Sequence, residues 1–156
     1  MKNLDTNNQS KRSNRTRHDD NPIKRLNETV ELKNYDMRTE KECVDILART
    51  LAMININQRY KGFHYIIDAV RIFYRNKYTH LLITKDIYKP LAVLYGTTPE
   101  LIEHGIRTAI RKGWLQSDPE LRLDIYKDLE KNPSNYVFLV NILKYVEDRM
   151  EPKSLI

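Results

Sequence analysis

The sequence contains a single cysteine, Cys43, so no disulfide can form within the chain. Its four glycines are dispersed and form no glycine-rich loop for a nucleotide phosphate. No apolar run is long enough to cross a bilayer, and the first 22 residues lack the apolar segment of a secretory signal. These absences lead us to expect a cytoplasmic protein without a membrane anchor.

Side chains that carry enzyme chemistry are also sparse. His64 and His80 have no cysteine or carboxylate at a spacing typical of zinc ligands. Cys43 falls on the apolar face of a predicted helix, where a buried, inert thiol is expected rather than a nucleophile. We therefore predict no enzyme activity, no metal or other cofactor, and no small-molecule substrate.

The charge balance is mildly basic, with 27 Lys and Arg against 21 Asp and Glu, a net charge of +6. This excess favours a nucleic-acid partner, although an ordinary soluble basic protein has the same bulk charge. A length of 156 residues with 40% hydrophobic content allows one domain with a core and a tail.

Residues 1–38 differ in composition from the rest of the chain. They are rich in Asn, Ser, Thr, Lys, Arg and Asp and nearly free of aromatics, so we predict a disordered N-terminal tail. The cluster KRSNRTR within it is either a solubilising tail or an arm that contacts DNA phosphates or a minor groove. Its basic residues are Lys11, Arg12, Arg15 and Arg17.

Residues 39–152 have the apolar periodicity of an all-α domain with about six helices. The first helix is predicted to begin at Thr39, because Glu42 follows at a capping-box spacing. The third is predicted to begin with Thr84 as N-cap, to be disturbed by Pro90, and to end before Gly96.

The helix within TTPELIEHGIRTAIRKGW is predicted to start at Thr98 as N-cap, with Pro99 in its first turn. Asp118 and Pro119 repeat this pattern in the next helix. The linker YGTTPE joins two helices through a short turn containing Gly96, which is typical of a helix-turn-helix. An apolar last helix follows, within NPSNYVFLVNILKYVEDRM.

The second helix of this pair has two distinct faces. Ile102, Ile106, Ala109, Ile110 and Gly113 are predicted to face the core. The opposite face carries groups that hydrogen-bond to base edges, since Arg pairs with guanine and Glu with the cytosine amino group. An ordinary amphipathic helix has the same charge pattern. The predicted base-reading residues are Glu103, His104, Arg107, Thr108 and Arg111.

Several motifs resemble the C-terminal effector domain of the sporulation stage-zero response regulator family. The spacing Thr98-x3-Ile102-Glu103-x2-Ile106-Arg107-x2-Ile110-x3-Trp114 is similar to the family's recognition helix. KGFHYIIDAV, ITKDIYKPLAVLY and NPSNYVFL resemble other family segments, in the same order. The resemblance covers roughly residues 43–150 and implies a six-helix DNA-binding fold; we expect Trp114 to be a core residue.

The resemblance implies a partner and specific contacts. Family members bind tandem short boxes of double-stranded DNA in promoters, with the recognition helix in the major groove and the last helix in dimer contacts. Glu103 and Arg107 match DNA-contacting positions. The implied phosphate contacts are Thr84, Lys85, Thr97, Thr98 and Lys131, and our candidates for an outward face of the last helix are Tyr136, Asn141 and Tyr145.

The chain departs from the family pattern at several positions. Leu101 and His104 stand where the family usually has arginine, and Thr108 stands where it usually has histidine. The acidic cluster and βα repeat of a phospho-acceptor receiver domain have no counterpart in residues 1–38. We therefore expect no regulation of this chain through receiver phosphorylation.

Two functions remain open on the sequence alone. The first is a sequence-specific transcriptional regulator, cytoplasmic and associated with the nucleoid, which forms a homodimer on DNA. The second is a protein-interaction partner or antagonist of a full-length regulator, with only residual DNA binding. The changes at Leu101 and His104 favour the second, whereas Glu103, Arg107 and the basic cluster favour the first.

Overall fold

The computed structural model describes residues 22–76, 79–127 and 131–151, with side chains from residue 38 onward. The chain divides into two compact units, Met1–Tyr35 and Asp36–Ile156. The described backbone of the first unit, residues 22–35, is helical. The predicted arm residues Lys11, Arg12, Arg15 and Arg17 lie outside the described residues.

Six α-helices and no strand occur in the described ranges, which confirms the predicted all-α class. A π-helical stretch, Ile83–Tyr88, precedes the third helix, and a short 3-10 turn, Trp114–Gln116, follows the fourth. No helix in these ranges has both the length and the apolar character needed to cross a membrane. The helices are α1 Pro22–Met53, α2 Lys61–Arg75, α3 Lys89–Tyr95, α4 Pro99–Gly113, α5 Pro119–Ile125 and α6 Asn135–Glu147.

The prediction that the first helix begins at Thr39 is wrong, because α1 already starts at Pro22. A Thr-x-x-Glu spacing forms a capping box only where the chain leaves the helical conformation before the threonine. Residues 22–38 are helical, so Thr39 lies within the helix.

The prediction of Thr84 as an N-cap is also wrong. Leu82 occupies the N-cap position, and its N–H donates to the Asp86 carboxylate at 2.7 Å. The expected disturbance at Pro90 takes the form of the π-helical stretch, whose wider turn pairs the Lys89 N–H with the Thr84 carbonyl. Pro90 itself has no N–H to offer the Asp86 carbonyl, which an α-helix would require.

The core of the second unit is built around α2, which packs against α4 and α6. Trp114 is fully buried and meets Phe138 edge-to-face, with ring centroids 5.9 Å apart. The predicted core position of Trp114 is therefore confirmed. Cys43 is also buried, as its place on the apolar face of α1 indicated.

Candidate nucleic-acid interface

A turn of three residues, Gly96, Thr97 and Thr98, joins α3 to α4. Gly96 adopts a left-handed conformation, with φ of 62°, and its N–H donates to carbonyls at the end of α3. The Thr97 N–H donates to the Ala92 carbonyl at 2.9 Å, which closes the helix end. The predicted role of Gly96 as the residue that ends this helix is confirmed, because a side chain would be strained at this φ.

The start of α4 is capped as the sequence predicted. The Thr98 hydroxyl accepts from the Leu101 N–H at 3.3 Å, and Pro99 occupies the first turn, where a missing N–H costs nothing. Asp118 caps α5 in the same way, accepting from the Glu120 N–H at 2.9 Å. Both helix starts are therefore determined by local hydrogen bonds.

One face of α4 is buried along its whole length. Because side chains three and four residues apart share a helix face, these positions form a continuous apolar stripe against the core. The stripe holds α4 firmly enough to orient whatever its other face presents. The buried residues are Ile102, Ile106, Ala109, Ile110 and Gly113, as predicted.

The opposite face of α4 brings the five predicted base-reading side chains to one side of the helix. His104, Arg107 and Arg111 are exposed, and Glu103 and Thr108 are partly exposed. Arg107 Nη2 lies 3.4 Å from Glu103 Oε1, and Thr108 Oγ1 lies 3.4 Å from His104 Nε2. An ion pair this exposed contributes little to stability, so Arg107 can exchange Glu103 for another acceptor at small cost.

The residues implied as phosphate contacts lie on segments that flank α4. Thr84 and Lys85 are exposed on the π-helical stretch, and Thr98 is exposed in the turn, where Thr97 is partly buried. Lys131 is exposed in the segment before α6. Their exposure leaves these groups accessible to an anionic ligand.

A groove of about 490 Å³ lies between α4, the π-helical stretch and the start of α6. Arg107 and Arg111 line one side, and Ser134 and Asn135 line the other. Glu103 also lines the groove, so its walls combine two cations and one carboxylate with neutral polar groups, a mixture of donors and acceptors that suits a base edge.

Asn135 joins the walls of this groove. Its amide donates to the Tyr88 hydroxyl oxygen at 3.0 Å and to the Glu103 backbone carbonyl at 3.1 Å. Burial raises the pKa of Tyr88, and the charge of Glu103 adds to the rise, although Asn135 and Arg107 oppose it. Sequence reasoning missed the structural role of Asn135, because such a contact joins residues that are distant in the chain.

The predicted outward face of α6 is only partly present. Tyr136 is 45% exposed, with its ring edge-on to Phe73, and the Asn141 amide donates to the Val137 carbonyl of its own helix at 2.7 Å. Tyr145 is only 8% exposed, so its predicted outward orientation is wrong. It follows Ile142 by three residues on the packed side of α6, and the Arg149 guanidinium covers its ring.

Comparison with known protein families agrees with this arrangement. The family model described as Sporulation initiation factor Spo0A C terminal matches residues 46–146, well over half of the chain. The match begins within α1 and ends at the last turn of α6, so it includes the whole helix-turn-helix and the groove. This family is a regulatory one rather than an enzymatic one. The chain belongs to the family of the C-terminal DNA-binding effector domain of the sporulation initiation factor Spo0A.

Proposed function

We propose that the chain is a sequence-specific transcriptional regulator that places α4 in the major groove of promoter DNA. The observation that carries this proposal is the division of α4 into a fully buried apolar face and an exposed face with two arginines. A recognition helix needs both features, since the buried face gives rigidity and the exposed face gives donors and acceptors. Family membership supports DNA as the partner.

The exposed side chains have distinct roles in this proposal. Arg107 pairs with the O6 and N7 acceptors of guanine, and Glu103 accepts from the cytosine amino group. His104 and Thr108 contact neighbouring base edges, and Arg111 binds at the margin of the site or to a phosphate. Thr84, Lys85, Thr97, Thr98 and Lys131 hold the DNA backbone and set the register of α4.

A second candidate function is an interaction with another protein through α6. Tyr136 and Val140 are 45% and 36% exposed, four residues apart on the same face. Together with His80 and Lys144 they line a groove of about 340 Å³. This face suits either a second copy of the chain on tandem DNA boxes or a full-length regulator. A partner role without specific DNA binding is the alternative to the main proposal.

The deciding experiment is a selection of random duplex DNA by the purified chain at near-physiological salt. Enrichment of a short motif, especially in tandem, supports the regulator. Salt-dependent binding without an enriched motif supports the protein-partner function, since phosphate contacts alone carry no sequence information.

The role of Arg107 is then tested on the selected motif. Arg107→Ala is expected to weaken binding by about 1–3 kcal/mol and to relax the preference at one base pair. Arg49→Ala is the matched control, because Arg49 is an exposed arginine on α1 and does not line the α4 groove. Equal binding by Arg107→Ala and the unaltered chain would contradict the assignment of Arg107.

A further inference from the structure

Leu101 is an apolar side chain on the polar side of α4. It is 56% exposed, in the first turn of the helix. Its backbone is held in place, because its N–H donates both to the Thr98 hydroxyl at 3.3 Å and to the Thr98 carbonyl at 3.1 Å. The leucine is therefore presented to solvent from an ordered position.

The helical spacing explains why Leu101 does not reach the core. Leu101 immediately precedes Ile102, which is fully buried, and one residue corresponds to a rotation of about 100° around the axis. Leu101 instead shares a stripe with His104 and Thr108, three and seven residues later. Leu101 therefore lies on the same face of α4 as two of the predicted base-reading side chains.

The first turn of a recognition helix is the part that approaches base edges most closely in helix-turn-helix proteins. Among the groups that base pairs present in the major groove, the C5-methyl of thymine is the apolar one. Leu101 has no hydrogen-bonding group, so it has nothing to offer the acceptors of guanine. Contact with a methyl group removes apolar surface of both partners from water.

We propose that Leu101 is a specificity-determining residue that contacts the C5-methyl group of a thymine. This inference rests on the proposed DNA-binding function and names one base pair of its target. The site preferred by this chain has thymine where the first turn of α4 meets the major groove. An arginine at the same position would favour guanine instead.

The test replaces each thymine of the selected motif by uracil, which removes only the methyl group. At the thymine that Leu101 contacts, uracil is expected to weaken binding by about fourfold, as burial of one methyl group predicts. Leu101→Ala should bind the thymine duplex more weakly and lose its sensitivity to uracil at that position alone. Leu101→Arg should shift the selected base there from thymine to guanine.

Leu123→Ala is the matched control, because Leu123 is a similarly exposed leucine, 48% exposed, on α5 and outside the proposed recognition helix α4. It should keep the full response to uracil. The inference is overturned if Leu101→Ala and the unaltered chain respond equally to uracil at every thymine, or if uracil has no effect at all. Failure to enrich any motif overturns the proposed DNA-reading function itself, and with it this inference.

Discussion

Gly62 of α2 lies directly against Gly105 of α4, so closely that a methyl group on Gly62 would overlap the Gly105 carbonyl oxygen. The same methyl would lie 2.7 Å from the Ala109 Cβ. On the other helix, a methyl on Gly105 would lie 2.8 Å from the ring of Tyr65. The position of α4 against α2 therefore depends on the absence of side chains at this crossing.

Gly62→Ala is expected to destabilise the domain by about 1–3 kcal/mol, because the added methyl forces α2 and α4 apart. Alanine favours helix over glycine, so propensity alone would raise the stability. The free energy of unfolding, measured by urea denaturation, shows whether the steric overlap outweighs the gain in helix propensity. Lys61→Ala, at the exposed neighbouring position, is the control. Unchanged or increased stability of Gly62→Ala would show that α2 and α4 have room for the methyl.

Lys85→Ala is expected to weaken binding to all duplexes alike. Lys85 is exposed on the π-helical stretch before α3, where the proposal assigns it to a phosphate. Loss of one phosphate contact should lower the slope of log affinity against log salt by about 1. Titrations at several salt concentrations, on the selected motif and on an unrelated duplex, measure this effect. A loss confined to the selected motif would mean that Lys85 contacts a base.

Tyr95→Phe removes a hydrogen bond that joins the end of α3 to α2. The Tyr95 hydroxyl donates to Asp68 Oδ2, and its ring lies edge-on to Tyr65 with centroids 4.9 Å apart. We expect the variant to lose about 0.5–1.5 kcal/mol of unfolding free energy at pH 8. Burial raises the pKa of Tyr95, and the hydrogen bond to Asp68 and its charge raise it further.

This pKa shift gives the loss in Tyr95→Phe a definite pH dependence. Because the folded-state pKa lies above the unfolded value of about 10, the contribution is complete below pH 10, begins to fall as the unfolded chain ionises above that pH, and is lost as pH rises through the folded-state pKa. The stability gap between the unaltered chain and Tyr95→Phe should therefore narrow in alkali. A gap that stays constant up to pH 11, which is about one unit above the unfolded pKa, would contradict the assignment.

Glu40→Gln is expected to destabilise the domain by about 1 kcal/mol at neutral pH. Glu40 of α1 lies 2.8 Å from both Arg71 Nε and Arg75 Nη2 of α2. Partial burial raises the pKa of Glu40, but the hydrogen bonds and charges of Arg75 and Arg71 outweigh it, so the net pKa is lowered.

A lowered folded-state pKa means that this stabilisation is present above the unfolded pKa of about 4.3 and is lost as pH falls through the folded value. Thermal unfolding of both chains between pH 7 and pH 3 measures the gap, which should close in acid. Glu42→Gln provides a comparison within α1, at a carboxylate that accepts instead from the Glu151 N–H. A gap that persists unchanged at pH 3 would exclude the ion pairs as its cause.

Local patterns in the sequence predicted α4 and its two ends well. The buried stripe from Ile102 to Gly113, the caps at Thr98 and Asp118, and the left-handed Gly96 all occur as predicted. Each depends on residues within a few positions of one another, where helical periodicity and side-chain capping act directly.

Other features could not be predicted, because they depend on distant parts of the chain. The capping-box spacing at Thr39 predicted a helix start there, but α1 begins earlier, at Pro22, and runs through Thr39. The orientation of Tyr145 was mistaken because α6 is apolar on several sides, so its sequence does not show which side packs. Asn135 reaches Tyr88 and Glu103 across more than 30 residues, and no local pattern indicates that contact.

The sequence by itself determined the helical class, the helix α4 with its two faces and the turn before it, since all of these follow from short-range spacing and backbone preference. Only the tertiary structure decided how α4 packs against the neighbouring helices. The contact of Gly62 with Gly105 brings α2 against it, and the Asn135 amide ties the start of α6 to its backbone. Such contacts arise from packing between segments far apart in sequence. The neighbouring helix sets how large a side chain can be at each position and which hydrogen-bonding partners it meets.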